Sequence, residues 1–186
     1  MYGAGVTHTS KGGTGTGEVN ERHSVTIYEG MKNAGFVITT ENWLEQFQKS
    51  YEAGAEAFQK ARWKVLLKNP MGILADYPGY DGGLISDEDI RKGNTDTCVY
   101  VVSRQAGEGV DRRAEKGDYF LTENERANIE KCASAYKKFI LVINGGSQID
   151  MAFADEIQGI NAILFICQLG TAGGKAVADV LSGKRY

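Results

Sequence analysis

Apolar residues recur along the chain in two patterns, one at helical spacing and one as short continuous runs. Helical spacing, with apolar side chains three or four residues apart, predicts helices at 41–64, 122–136 and 175–181. Short runs rich in β-branched and aromatic residues are typical of buried strands, and they occupy 97–103, 139–143 and 162–167. Each run is followed by a polar or glycine-rich loop and then by a helix.

Capping signals mark the ends of one further helix and the start of the helix at 122–136. A helix is expected to start near Ser24 and to stop at Gly35, followed by a short strand at 36–39. Thr122 and Glu125 have the spacing of a capping box at the start of a helix. Helices therefore begin and end at residues suited to those positions.

The alternation of strand, loop and helix predicts the fold class. Parallel strands need helical crossovers and are then covered on both sides. We therefore expect an α/β fold, a three-layer sandwich with a mostly parallel sheet and helices on both faces. A length of 186 residues suits one domain over 1–186, with a glycine-rich loop inside 1–23 and an irregular segment at 69–83.

Loops that follow parallel strands meet at one edge of the sheet. Ligands of open α/β sheets bind at this carboxyl edge. Four loops are expected to gather there: 11–20, 104–113, 144–147 and 168–174.

Charge and hydropathy exclude several classes of partner. A formal net charge of -3 and a pI near 5.5 offer no basic surface for nucleic acid or anionic lipid. No apolar run reaches about 18 residues, and the first residues do not resemble a signal peptide. These features favour a cytoplasmic protein without a nucleic-acid or membrane partner.

Cysteine and histidine usage gives no support for a metal site. Cys98, Cys132 and Cys167 are far apart and set among apolar residues, which predicts buried free thiols. His8 and His23 have no other ligand-type residue at metal-binding spacing. No metal and no cofactor are expected.

The loop at 11–18 invites a phosphate-binding interpretation, because glycine-rich turns before a helix point backbone amides at anions. However, Glu18 follows the last glycine, where a Walker loop has lysine and then serine or threonine. A nucleotide site, a plain flexible loop and a loop facing a neutral ligand or another domain all stay open, with the last favoured.

The loop at 104–113 carries Glu108 between two glycines at the end of a predicted strand. From composition alone, Glu108 is a solvated carboxylate paired with an arginine of the same loop. The flanking glycines raise the alternative that it is presented to a ligand. Asp111 and Arg112 are interpreted as structural ion-pair partners or as groups that bind hydroxyls, with structure favoured.

Several segments, in order along nearly the whole chain, closely resemble the second domain of glycoside hydrolase family 3 β-glucosidases. They are 101–104, 107–112, 119–122 with Glu125, 142–146 and 176–183, together with the opening 11–20. A single short motif such as Gly-Glu-Gly is weak evidence for the family. The ordered set over some 180 positions is specific.

The resemblance implies a retaining β-glycosidase that hydrolyses terminal β-D-glucosyl residues. In the family, an aspartate nucleophile lies on a preceding barrel and the sandwich domain supplies the general acid/base, which corresponds to Glu108 here. Retaining hydrolysis needs two carboxyls about 5 to 5.5 Å apart. The residues expected to contact the β-glucoside are Lys11, Gly12, Gly13, Thr14, Arg104, Asp111 and Arg112.

Departures from the family limit what this chain is expected to do alone. Its only Ser-Asp pair, Ser86-Asp87, lies inside the sandwich domain and is interpreted as a helix cap, so no nucleophile is assigned. The chain looks like an excised domain without its barrel, and we expect it to be inactive by itself. The alternatives are a sugar- or nucleotide-binding module, or a structural domain that forms a homodimer.

Overall fold

The computed structural model of the chain describes residues 1–13, 21–66, 80–106 and 112–184. Its helices and strands, in chain order, are α1 (Ile27–Asn33), α2 (Glu41–Leu66), α3 (Asp87–Gly93), β1 (Thr97–Arg104), α4 (Glu123–Ala135), β2 (Lys138–Gly145), α5 (Phe153–Glu156), β3 (Ala162–Phe165) and α6 (Gly173–Leu181). Short 3-10 turns lie at Ala4–Val6 and Gly170–Ala172.

The three strands form a parallel sheet in the order β1-β2-β3. Their register pairs Arg104 with Gly145 at the carboxyl end of the first two strands. On the other side of β1, Tyr2 adds one residue of parallel pairing, since its N–H donates to Val99 and its carbonyl accepts from Val101. The N-terminal segment therefore starts beside β1 and runs toward the same carboxyl edge.

Both faces of β1 are covered, as expected for a parallel strand. On one face, α4 packs against β1 and β2, and its residue Glu125 binds Arg104. On the other face, the Ala4–Val6 turn lies so close that a Cβ on Gly5 would be 2.5 Å from the Val101 side chain. The predicted α/β fold with a parallel sheet is confirmed.

The capping boxes explain where α3 and α4 begin. Thr122 accepts the N–H of Glu125, and the Glu125 carboxylate accepts the N–H of Thr122, as predicted. Ser86 and Asp89 form the same arrangement at α3. The interpretation of Ser86-Asp87 as a helix start is confirmed.

The predicted strand at 36–39 is wrong. These residues connect α1 to α2 without strand pairing, and Val37 is 86% exposed. The Phe36 N–H closes the end of α1 by donating to the Met31 carbonyl. Within the described residues, no strand lies beside this apolar, β-branched run, so propensity alone does not produce one.

The predicted third strand is shorter than expected, and one thiol prediction is wrong. β3 ends at Phe165, because Cys167 turns the backbone into the left-handed region with φ 48°. Cys98 and Cys132 are buried and free, as predicted, whereas Cys167 is free and exposed. The tight turn after β3 carries Cys167 out of the apolar interior.

The ring of His8, in the N-terminal segment, packs against α2. Its ring stacks on Tyr51 with centroids 3.6 Å apart and meets Phe47 edge-on at 5.5 Å. Burial lowers the pKa of His8, and the nearby charge of Glu52 opposes this only in part. The folded chain therefore favours the neutral ring.

This packing predicts a loss of stability in mild acid. An unfolded histidine titrates near pH 6.5, so below that pH the unfolded chain binds a proton that folded His8 resists. The free energy of unfolding, measured in urea from pH 7.5 to 5.5, should fall toward acid, and His8→Gln should flatten that slope. The matched variant at the exposed His23, His23→Gln, should keep the wild-type slope; equal slopes in all three proteins would contradict the assignment.

Candidate functional site

Asn144 joins three segments at the carboxyl edge of the sheet. This buried side chain accepts the N–H of Ser10 at 2.6 Å and donates to the Ser10 carbonyl at 2.9 Å. It also donates to the Cys167 carbonyl at 2.7 Å. A carboxamide offers a donor and an acceptor side by side, which suits pairing with the backbone of one residue. The N-terminal segment is thus held to the ends of β2 and β3.

Two glutamines form a second meeting point around Gly12. Gln105 donates to the Gly12 carbonyl and accepts from the Ser10 hydroxyl at 2.7 Å. Gln168 donates to the same carbonyl at 3.0 Å and to the Ala106 carbonyl at 3.2 Å. The predicted gathering of the four loops at one edge is confirmed for their described residues.

Arg104, the last residue of β1, is buried and fully engaged within the chain. Two of its nitrogens contact the two carboxylate oxygens of Glu125 at 2.5 and 2.7 Å. Its remaining N–H groups donate to the backbone carbonyls of Ser103, Asp118 and Phe120. Burial would lower the Arg104 pKa, but the bonds to Glu125 outweigh it and the pKa is raised. All five N–H groups of the guanidinium have acceptors, so it fastens the loop that follows β1.

Arg112 is also bound at the carboxyl edge, beside Arg104. It donates to the Ser147 hydroxyl at 2.5 Å, to Asp118 at 2.8 Å and to the Arg104 carbonyl at 3.3 Å. Burial opposes ionisation of Asp118, but hydrogen bonds from the Arg113 backbone and the Arg112 side chain more than offset it and lower its pKa. The chain returns to the carboxyl edge at Arg112.

The other residues predicted to contact the glucoside have different surroundings in the structure. The Lys11 ammonium pairs with Glu21, and the Gly12 carbonyl faces the two glutamines. Gly13 follows Gly12 in the sequence and is half-buried. Thr14, Glu108 and Asp111 lie outside the described residues, so their predicted roles stay predictions.

Sequence reasoning missed the residues that hold the edge together. Asn144 and Gln168 were named as the first residues of two loops and Glu125 as a helix cap. Asn144 and Glu125 also lay in segments that resemble the family, but none of the three had a role in holding the loops. One signal was available for Glu125: an arginine ending a run of buried residues needs a carboxylate nearby. Single amides in loops carry no periodicity, so nothing pointed to Asn144 or Gln168.

The residues that the structure describes contain neither a cluster of metal ligands nor a membrane-spanning helix. No three histidine, cysteine or acidic side chains come together there as a metal would require. No described helix combines the length and apolarity needed to cross a membrane.

The chain is an α/β domain with a parallel sheet, whose carboxyl edge gathers an N-terminal loop and the loops after the three described strands. Open α/β sheets that bind ligands do so at this edge. The whole chain, residues 1–186, matches the glycosyl hydrolase family 3 C-terminal domain. The chain therefore belongs to glycosyl hydrolase family 3, as its sequence motifs indicated.

Relatives and solved structures agree with this membership. Beta-glucosidase A of Butyrivibrio fibrisolvens is 25% identical over 99% of this chain and 23% of its own length. The structure of beta-glucosidase 3B from Thermotoga neapolitana in complex with glucose has a TM-score of 0.73 and 32% identity, covering 98% of this chain and 25% of that one. A beta-glucosidase from Paenibacillus barengoltzii has a TM-score of 0.72 and 26% identity, covering 98% of this chain and 19% of that one. The chain spans about a quarter or less of the length of these proteins.

The buried ion pair predicts a strong and specific cost when one partner is removed. Arg104→Met leaves the Glu125 carboxylate buried without its partner, which should cost about 3 to 5 kcal/mol of unfolding free energy. Adding Glu125→Gln, which keeps the helix cap but removes the charge, should recover part of that loss in urea unfolding.

The control is Arg126→Met, which removes a half-buried, ion-paired arginine on the surface of α4. It should cost about 1 kcal/mol or less. The assignment is wrong if Arg104→Met is no more damaging than Arg126→Met, or if the double variant is less stable than Arg104→Met alone.

Proposed function

We propose that this chain is the acid/base-bearing domain of a retaining β-glucosidase, with Glu108 as the proton donor. The nucleophile is an aspartate on a barrel domain outside this chain. Membership of family 3 and similarity to proteins named as beta-glucosidases support the reaction class. The substrate class is a terminal β-D-glucosyl residue.

The observation that carries the assignment is the fastening of the loop on both sides of Glu108. Ala106 is bonded by Gln168, and Arg112 is bonded by Ser147 and Asp118. Five residues, 107–111, connect these two points at the carboxyl edge. The proposed role needs the Glu108 carboxyl at this edge, where a substrate is bound in this kind of fold.

Electrostatics of the neighbouring arginines support a proton donor as well. A general acid must be protonated before it acts, and free cations nearby would lower its pKa. Arg104 is already paired with Glu125, and Arg112 with Asp118. Their charges are largely compensated, so the barrel's carboxylate and burial can raise the pKa of Glu108 when the two domains meet.

Contacts to the glucoside are assigned to Lys11, Gly12, Gly13, Thr14 and Asp111. Arg104 and Arg112 were expected among them, but the described contacts engage both guanidiniums within the chain. We therefore propose that these two arginines act by holding the loop.

Removing the acid should affect substrates according to their leaving group. With this chain joined to its barrel domain, Glu108→Ala should slow hydrolysis of cellobiose by about 10²- to 10⁴-fold. Cleavage of 2,4-dinitrophenyl β-glucoside, whose leaving group needs no proton, should persist, and azide should restore turnover by forming β-glucosyl azide. Steady-state kinetics and product analysis measure both effects.

Glu130→Ala, at an exposed glutamate of α4, is the control and should leave both substrates unaffected. Equal losses on the two substrates would place the acid elsewhere. The isolated chain should hydrolyse neither substrate; turnover abolished by Glu108→Gln in the isolated chain would mean that the nucleophile is present on it.

One observation favours the second candidate, a self-associating domain. Four apolar side chains of β3, α6 and the loop between them are between 43% and 46% exposed: Ile163, Phe165, Leu169 and Val180. Exposed apolar side chains, where they form a contiguous patch, mark contacts with another domain or chain.

Light scattering of the isolated chain tests this alternative. A concentration-dependent dimer that Phe165→Ser converts to a monomer would favour self-association through β3. A monomer at all concentrations, with or without Phe165→Ser, would exclude it.

A further inference from the structure

We propose that Gln168 is a positioning residue for the reaction, fixing the start of the loop that carries Glu108. This inference rests on the proposed function of Glu108. The Gln168 amide donates to the Ala106 carbonyl, two residues before Glu108, and to the Gly12 carbonyl of the N-terminal loop. One side chain thereby connects the proton-donor loop to the loop assigned to substrate contact.

Close packing leaves the Gln168 carboxamide little freedom. A Cβ on Gly146 would lie 2.5 Å from the Gln168 Cδ and Oε1 and 2.6 Å from the Ala106 Cβ. Real side chains do not approach so closely, so only glycine at 146 lets the amide lie between β2's exit loop and Ala106. Gly146, just after β2, therefore packs against Gln168 and keeps its amide close to the two carbonyls that it binds.

The backbone on both sides of Gln168 is held in a conformation that keeps its side chain near the Ala106 and Gly12 carbonyls. Cys167 has φ 48°, which costs a non-glycine residue on the order of 1 kcal/mol or more. The Cys167 carbonyl accepts from Asn144, and the Gly170 N–H donates to the Lys11 carbonyl. Bonds on both sides of Gln168 therefore maintain the turn.

A neutral amide suits this position better than a charged group. A lysine bonding Ala106 would fasten the loop equally well, but its charge would lower the pKa of a proton donor two residues away. Gln168 supplies hydrogen bonds without net charge. It complements Arg112, whose charge is compensated by Asp118 on the far side of the loop.

Kinetics of the joined two-domain protein test the effect on the reaction. Gln168→Ala should lower kcat for cellobiose on the order of 10- to 100-fold, as expected when a catalytic group is displaced by about 1 Å. The kcat for 2,4-dinitrophenyl β-glucoside should change less than about 2-fold. Gln168→Glu, which faces carbonyl oxygens with a carboxylate, should not rescue cellobiose hydrolysis. Gln158→Ala, at an exposed glutamine before β3, is the control.

Backbone order in the isolated chain tests the anchor without reference to catalysis. In Gln168→Ala, the NMR order parameters of the Gly12 and Ala106 amides should fall below about 0.6, and Gln158→Ala should leave them unchanged. Unchanged values at Ala106 would overturn the inference, and so would equal kinetic losses on both substrates. If Glu108→Ala itself shows no dependence on the leaving group, the proposed function fails, whereas the NMR result still decides whether Gln168 holds Ala106.

Discussion

The buried pair of Arg104 and Glu125 is the constraint on which the carboxyl edge depends. Glu125 is fixed by its capping box at the first turn of α4, and Arg104 ends β1. Their two-point contact therefore sets the position of a strand end relative to a helix start. Desolvation makes such a pair a weak source of net stability. Its value here is that the same guanidinium also holds the Asp118 and Phe120 carbonyls, so the chain must return to the end of β1.

Around this pair, the edge is assembled from neutral amides and compensated charges. Asn144 and Gln168 bind backbone groups of neighbouring loops, while Arg112 is matched by Asp118. Buried amides fix geometry because an unmade hydrogen bond would leave backbone groups unsatisfied. The arrangement orders several loops while both arginines are paired with carboxylates. Under the proposed assignment, this suits a carboxyl group that keeps its proton until the reaction.

Sequence patterns predicted the parts of this structure that depend on neighbours along the chain. The three strands, the long helix α2 and the capping box at Thr122 follow from periodicity and short-range spacing. The wrong predictions concern features that depend on distant residues. No described strand pairs with 36–39, and the turn at Cys167 is held by Asn144. Asn144 bonds Ser10 from 134 positions away, a relation that one sequence does not reveal.

The two anchors also limit how a complete active site is assembled. Ala106 and Arg112 are bound to the same edge, and five residues lie between them in the sequence. With consecutive Cα atoms 3.8 Å apart, a chain of this length cannot extend more than roughly 10 Å from its two ends. Retaining hydrolysis requires the proton donor within about 5.5 Å of the nucleophile. Under the proposed assignment, the barrel must therefore bring its aspartate close to the carboxyl edge itself, and the loops around Gly12 form part of the contact between the two domains.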